Sequence, residues 1–123
     1  MILLLILACT RTEFKEESIV LQTYETMVSL YEQGDSSTAI EGLRKLHQEY
    51  PNYRSILETL LWYELNSDLE NQTVGHHRVQ EYLAKHPGDS AMRLMAVKYW
   101  LIQKDTEQVN KDLNILLHNQ QFH

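Results

Sequence analysis

Among the side chains able to do chemistry, the six histidines stand out first, with His76, His77 and His86 forming the densest group. A metal site needs imidazoles that converge on one ion, and neighbouring residues on a helix point about 100° apart. No HExxH spacing is present, and His86 falls at an expected helix end, where the helix dipole favours a cation. These histidines therefore read as solvated side chains, and no metal or other cofactor is expected. Serine nucleophiles need an oriented base and an oxyanion hole, commonly on a sharp Gly-rich turn. Ser36, Ser37 and Thr38 have no such context and read as the first turn of a helix. Glu16 and Glu17 lie in a solvated charge run, with nothing to shift their titration. The four glycines are scattered singly, so no phosphate-cradling loop can be built. No catalytic residue is assigned, and the chain does not read as an enzyme. A net charge of −6, from 17 acids and 11 bases, disfavours nucleic acid, because counterion release requires a basic face.

The single cysteine, Cys9, excludes an internal disulfide and any Cys-rich zinc site. It closes the apolar run Met1-Ile2-Leu3-Leu4-Leu5-Ile6-Leu7-Ala8, and the chain turns polar at Arg11-Thr12-Glu13. That run is far shorter than the roughly 20 residues a membrane-spanning helix requires, but it suits the apolar region of a secretory signal with a small residue before the cleavage point. Ile6-Leu7-Ala8-Cys9 resembles the lipobox of bacterial lipoproteins. The resemblance implies that Cys9 is acylated on sulfur and becomes the first residue of the mature chain. Several acyl chains would hold it on a membrane far more firmly than one. No Lys or Arg precedes Cys9, where such signals carry one. The alternative reading is an apolar N-terminus packed on the domain around an inert, buried Cys9.

The remaining chain must supply the elements. Breakers are few, with four glycines and two prolines, and apolar residues recur at helical spacing from residue 18 onward, as in Ile19, Val20, Tyr24, Met27, Val28 and Tyr31. Gln33-Gly34-Asp35 makes a tight stop and restart, with Gly34 past a helix end and Asp35 capping the next helix. The second helix turns Ala39, Ile40, Leu43 and Leu46 inward and carries Glu41 and Lys45 as an i, i+4 ion pair outside. Tyr50-Pro51-Asn52 ends it, and Asn52 is placed to cap a third helix. The pattern then returns: Asp35, Asp68 and Asp105 are spaced 33 and 37 residues apart, and Pro51 and Pro87 36 apart. A period of that size predicts stacked helical hairpins. The expected class is all-α, a short α-α superhelix of three helix-turn-helix repeats, with helices near 16–33, 36–49, 53–66, 70–86, 90–103 and 106–118. Asp105 and Gln108 form a candidate capping box for the last of them.

Leu30-Tyr31-Glu32-Gln33-Gly34-Asp35, then Ala39-Ile40-Glu41 and Tyr50-Pro51-Asn52, resembles the second half of the tetratricopeptide repeat (TPR) consensus. In the second repeat Gly75 or Val74 falls where a small alanine belongs, and about two or three extra residues lie around Asn71 to Val74; Val109 takes the alanine slot in the third. The resemblance divides the chain into a lipoprotein signal (1–8), a lipidated polar tether (9–17), a TPR-like domain (18–119) and a tail (120–123). It implies a concave groove lined by the first helix of each repeat, formed by Leu21, Tyr24, Val28 and Tyr31, then Arg54, Leu57, Leu61 and Glu64, then Leu94, Lys98 and Leu101. Such a groove would receive a peptide or helix of a client protein, with Arg54 placed to hold a carboxylate bidentately. Trp62-Tyr63 and Tyr99-Trp100 occupy corresponding places and read as core aromatics. Leu113, Ile115, Leu116 and Leu117 leave the last helix apolar for a terminal element, a face that a partner or a second copy could cover.

Together these readings give the expectation of a non-catalytic protein-interaction scaffold, an outer-membrane lipoprotein facing the periplasm. By analogy with small repeat lipoproteins, it would help assemble a pilus, a secretion secretin or the outer-membrane protein machinery. Thr10 after Cys9, where many retained lipoproteins carry aspartate, favours the outer membrane by the same analogy. The alternative is a cytoplasmic TPR-like regulator or secretion chaperone with a packed hydrophobic N-terminus.

Overall fold

In the computed structural model, residues 18–121 are described and are all-α, with six helices and no strand among them. These are α1 (Ser18–Glu32), α2 (Ser36–Glu49), α3 (Arg54–Leu65), α4 (Leu69–Lys85), α5 (Ser90–Ile102) and α6 (Thr106–Gln121). The signal segment, the tether and Cys9 lie outside the described residues. Helix α6 carries on to Gln121, into what the sequence assigned to the tail. None of the described helices is long and apolar enough to cross a membrane. The chain divides into two compact units, with the boundary between Tyr63 and Glu64, inside α3.

Two kinds of turn recur and explain the period. After α1, the Gly34 N–H donates to the Tyr31 carbonyl at 3.1 Å and the Asp35 N–H to the Leu30 carbonyl at 2.9 Å. After α5, the Lys104 N–H donates to the Leu101 carbonyl at 3.1 Å and the Asp105 N–H to the Trp100 carbonyl at 2.9 Å. Both are Schellman closures, which need a residue in the left-handed region: Gly34 at φ 96° and Lys104 at φ 60°. The Asp carboxylates then accept the Thr38 N–H at 3.3 Å and the Gln108 N–H at 3.2 Å, capping α2 and α6. The turn between α3 and α4 differs. Ser67 stands in the glycine slot without a positive φ, its carbonyl accepts from Gln72 Nε2 at 2.8 Å, and Asp68 caps α4 through the Asn71 N–H at 2.9 Å.

The second kind of turn contains proline. Tyr50 and His86, each held off the α region by the proline that follows, close α2 and α4 with nearly the same backbone, φ −129°, ψ 69° and φ −133°, ψ 67°. One turn later the chains diverge. Asp89 caps α5 by accepting the Met92 N–H at 3.0 Å, whereas α3 begins at Arg54, so Tyr53 and not the expected Asn52 holds its cap position. Asn52 lies within the Tyr50–Tyr53 turn, which the Tyr53 N–H closes onto the Tyr50 carbonyl at 3.4 Å.

In the first unit α1 packs on α2. Val20, Tyr24 and Val28 of α1 meet Ile40, Leu43 and Leu46 of α2 and Ile56, Leu60 and Tyr63 of α3 in one buried cluster. Each such aliphatic side chain contributes about 1.5–3 kcal/mol on burial. The Tyr24 hydroxyl remains satisfied in this apolar setting by a 2.6 Å hydrogen bond with the Thr59 hydroxyl. Gly42 lets α2 approach α1, since a Cβ there would overlap Sδ of Met27.

In the second unit α5 packs on both α4 and α6. Val97, Val109 and Leu116 form a cluster with Trp100 against it. Two ion pairs lie inside. Glu64, fully buried at the end of α3, receives Arg78 of α4 through both oxygens, at 3.1 and 3.2 Å. Asp112 of α6 accepts from Arg93 of α5 at 3.2 Å, both side chains 12% exposed. Gly75 is buried beside the first pair, and a Cβ there would come within 2.9 Å of the Glu64 Cβ. Glycine, the smallest residue, therefore sits where α4 passes close to the end of α3.

Candidate functional site

The positions expected to line a groove fall into three sets with different fates. On α1, Tyr24 and Val28 are core residues, 0% and 3% exposed, and do not form a surface. Leu21 packs half-buried against that core, and Tyr31, also half-buried, stacks on Tyr63 with ring centroids 3.6 Å apart and planes 2° from parallel. The groove reading is corrected here for a simple reason. The apolar stripe of α1 is the face that buries itself against α2 and α3, leaving its polar residues for the surface. Gln22, Glu25, Thr26, Ser29, Leu30 and Gln33 line a shallow, open depression of about 540 Å³ along α1, a feature absent from the sequence reading.

On α3 the correction repeats. Leu57 and Leu61 are buried at 6% and 0%, and Glu64 is engaged by Arg78. Arg54, expected to offer its guanidinium to a partner, donates from Nε to Glu58 at 2.6 Å, one helical turn along. The exposed large residue on this helix is Trp62, 49% exposed where a core aromatic was expected, while its neighbour Tyr63 is buried. Trp62 follows Ser55 and Glu58 along the helix at i, i+3 and i+7, and Ile56, Leu60 and Tyr63 take the core.

On α5 the expected positions do reach the surface. Leu94 and Leu101 are 55% and 60% exposed, with Lys98 half-buried between them on the same face. The opposite face supplies the core through Met92 and Ala96. The α5 set belongs to the second unit and the α1 set to the first. On α6, Leu113, Ile115 and Leu117 are partly exposed and Leu116 is buried.

The histidines separate as well. His77 is exposed and pairs with Glu81 at 3.1 Å, and His86 is exposed with its ring 4.6 Å from that of Tyr82. His76, expected to be solvated, is instead half-buried. Its ring stacks on Tyr99 at 3.9 Å and meets Trp100 edge-on at 4.5 Å. Burial holds its titration below the usual imidazole range, reinforced by His77 and opposed by Asp112. Tyr99 and Trp100 are thus half-buried partners of a histidine more than core aromatics. No group of three or more His, Cys, Asp or Glu able to hold a metal ion occurs among the described residues. Comparison with known proteins gives no matching protein family, curated protein or solved structure.

Proposed function

We propose that this chain is a non-catalytic adaptor, a lipid-anchored outer-membrane protein of TPR-like hairpins that helps assemble an envelope machine such as a pilus, a secretion secretin or the outer-membrane protein machinery. The observation that carries the adaptor reading is the exposed α5 face, where Leu94 and Leu101 flank Lys98. Two aliphatic side chains on one helical face, spaced by two turns, suit a short apolar segment of a client protein. The recurrence of the Schellman turn and the proline turn supports a repeat scaffold, whose work is to present surfaces. The anchor reading rests on the sequence Ile6-Leu7-Ala8-Cys9 and the polar change that follows it. Binding would be stoichiometric, with lipid fixing the location and α5 recruiting the client.

Fractionation with mass spectrometry of wild type and Cys9→Ser, expressed from the native upstream region in a bacterial host, tests the anchor. An acylated chain beginning at Cys9 in the membrane fraction, lost in Cys9→Ser, supports it. A soluble chain retaining Met1 in both refutes it and favours a cytoplasmic adaptor with an apolar N-terminus packed on the domain. Photocrosslinkers at positions 94 and 101 test the client surface. Adducts there, and none at the exposed outer position Lys45, support it.

A further inference from the structure

His76 occupies a place that a neutral imidazole suits and a charged one does not. It stands on α4 and meets Tyr99 and Trp100 of α5, the helix against which α4 packs. Its Nδ1 is buried without a hydrogen-bond partner. A neutral ring can leave one nitrogen as a bare acceptor at modest cost, whereas an imidazolium carries two N–H donors and would bury one of them unpaired together with part of its charge.

The charged groups around it do not provide a counterion. Asp112 of α6 attracts a proton to His76, but its carboxylate is already engaged by Arg93 of α5 at 3.2 Å. Glu64 at the end of α3 lies against Gly75, the residue before His76, and is taken by Arg78 through both oxygens. On α4 itself His77 adds repulsion once protonated, and on α5 Tyr99 offers a ring face and no formal charge.

We propose that His76 is an acid-sensitive latch on the packing of α4 against α5: uptake of a proton drives its ring off Tyr99 and Trp100 and loosens the two helices. The step is a proton transfer from hydronium to a ring nitrogen, forming one N–H bond, breaking one O–H bond and leaving water, with no other reactant. Its direction follows from linkage. A histidine whose proton affinity is lowered by folding leaves stability intact above its unfolded value, near 6.5, and removes it as pH falls through the folded value. For each unit by which folding lowers that value, full protonation weakens the closed arrangement about tenfold. The Gln103 Nε2 to Gln72 Oε1 hydrogen bond at 3.2 Å also joins α5 to α4 and involves no titrating group, so opening need not dissociate the helices. The inference is independent of the adaptor reading, because it concerns the α4–α5 packing and not the client face or the lipid anchor.

The test uses the full chain carrying Trp62→Phe, so that Trp100 is the remaining tryptophan reporter. Emission and near-ultraviolet circular dichroism are followed from pH 8 to pH 5. A one-proton transition with its midpoint below 6.5 is expected, and it should vanish in His76→Phe, which keeps a stacking ring and cannot titrate. An unchanged signal over that range, or the same transition persisting in His76→Phe, overturns the proposal. A second measurement needs no His76 variant. The imidazole proton resonances of the wild-type chain give the His76 titration directly, and a midpoint at or above 6.5 overturns the proposal as well. Hydrogen exchange of α4 and α5 amides, corrected for its intrinsic pH dependence, should rise across the same transition while α1 and α2 stay unchanged.

Discussion

Lys104→Gly should make this protein more stable, although it deletes a side chain and replaces it with none. Lys104 closes α5 in the left-handed region at φ 60°, the conformation that Gly34 takes at φ 96° in the matching turn after α1. The hydrogen bonds around the two residues agree within 0.1 Å: 3.1 Å from each N–H to the carbonyl three residues back, and 2.9 Å from the following Asp to the carbonyl five back. A side chain in that region costs about 1–2 kcal/mol through the clash of Cβ with the following carbonyl. Glycine returns about 0.5–1 kcal/mol of this, because its unfolded chain has more freedom to lose. The difference leaves a gain of about 0.5–1 kcal/mol, or roughly 2–5 °C in Tm for a domain of this size. Lys104 is exposed, so no buried contact is lost with it. Urea denaturation followed by circular dichroism measures the change, with Gly34→Ala as the mirror experiment, expected to lose about 1 kcal/mol. A Lys104→Gly variant of equal or lower stability, beside a Gly34→Ala variant that loses nothing, would refute the argument that the left-handed turn is strained.

Three further outcomes are expected. Gly75→Ala should cost about 1–3 kcal/mol, because its new carbon lands 2.9 Å from the Glu64 Cβ, an atom that moves only with its backbone. Gly42→Ala should cost less, since the atom it meets is Sδ of the flexible Met27, and the comparison of their urea midpoints checks the ranking. Tyr63 supplies an alkaline dependence: burial first, then Tyr24, Tyr31 and Glu32, raises its phenol above the ordinary value of 10.0. The unfolded chain therefore loses this proton before the folded one, so stability is complete below pH 10 and falls as pH rises beyond it. A urea-midpoint series from pH 8 to 11 should decline more gently in Tyr63→Phe than in wild type.

The helices and their turns were legible because their signals are local. Asp35, Asp68 and Asp105 announce starts, prolines 51 and 87 announce stops, and neither signal depends on what the helix packs against. Lys104 was less legible in its role, since a left-handed lysine carries no mark in composition and shows only by alignment with Gly34. The groove positions were misplaced on α1 and α3 because a stripe of Tyr24 and Val28, or of Leu57 and Leu61, has the same period whether it faces a partner or the chain's own core. Where apolar residues are few the core claims them first, whereas α5 carries enough to fill one face and expose Leu94 and Leu101 on the other. Trp62 reached the surface by phase, one residue from the buried Tyr63. His76 was read as solvated because its partners, Tyr99 and Trp100, are more than twenty residues away and on another helix.

Asp35 and Asp105 each do two things at once, and this bears on how quickly the chain can fold. The backbone N–H of each closes the helix behind it, and the carboxylate of each opens the helix ahead. Neither helix end can be completed without fixing the residue that begins the next, so a hairpin nucleates as a pair of helices from contacts six residues apart or fewer. Loop closure over so short a span costs little entropy, and chains rich in local contacts cross their folding barriers in microseconds to milliseconds. The first and last hairpins, with their Schellman turns, should therefore form ahead of the α3–α4 turn, where Ser67 closes no left-handed bend and the buried Glu64–Arg78 pair must be assembled across 14 residues. Refolding should begin at the two ends of the described chain and finish in its middle.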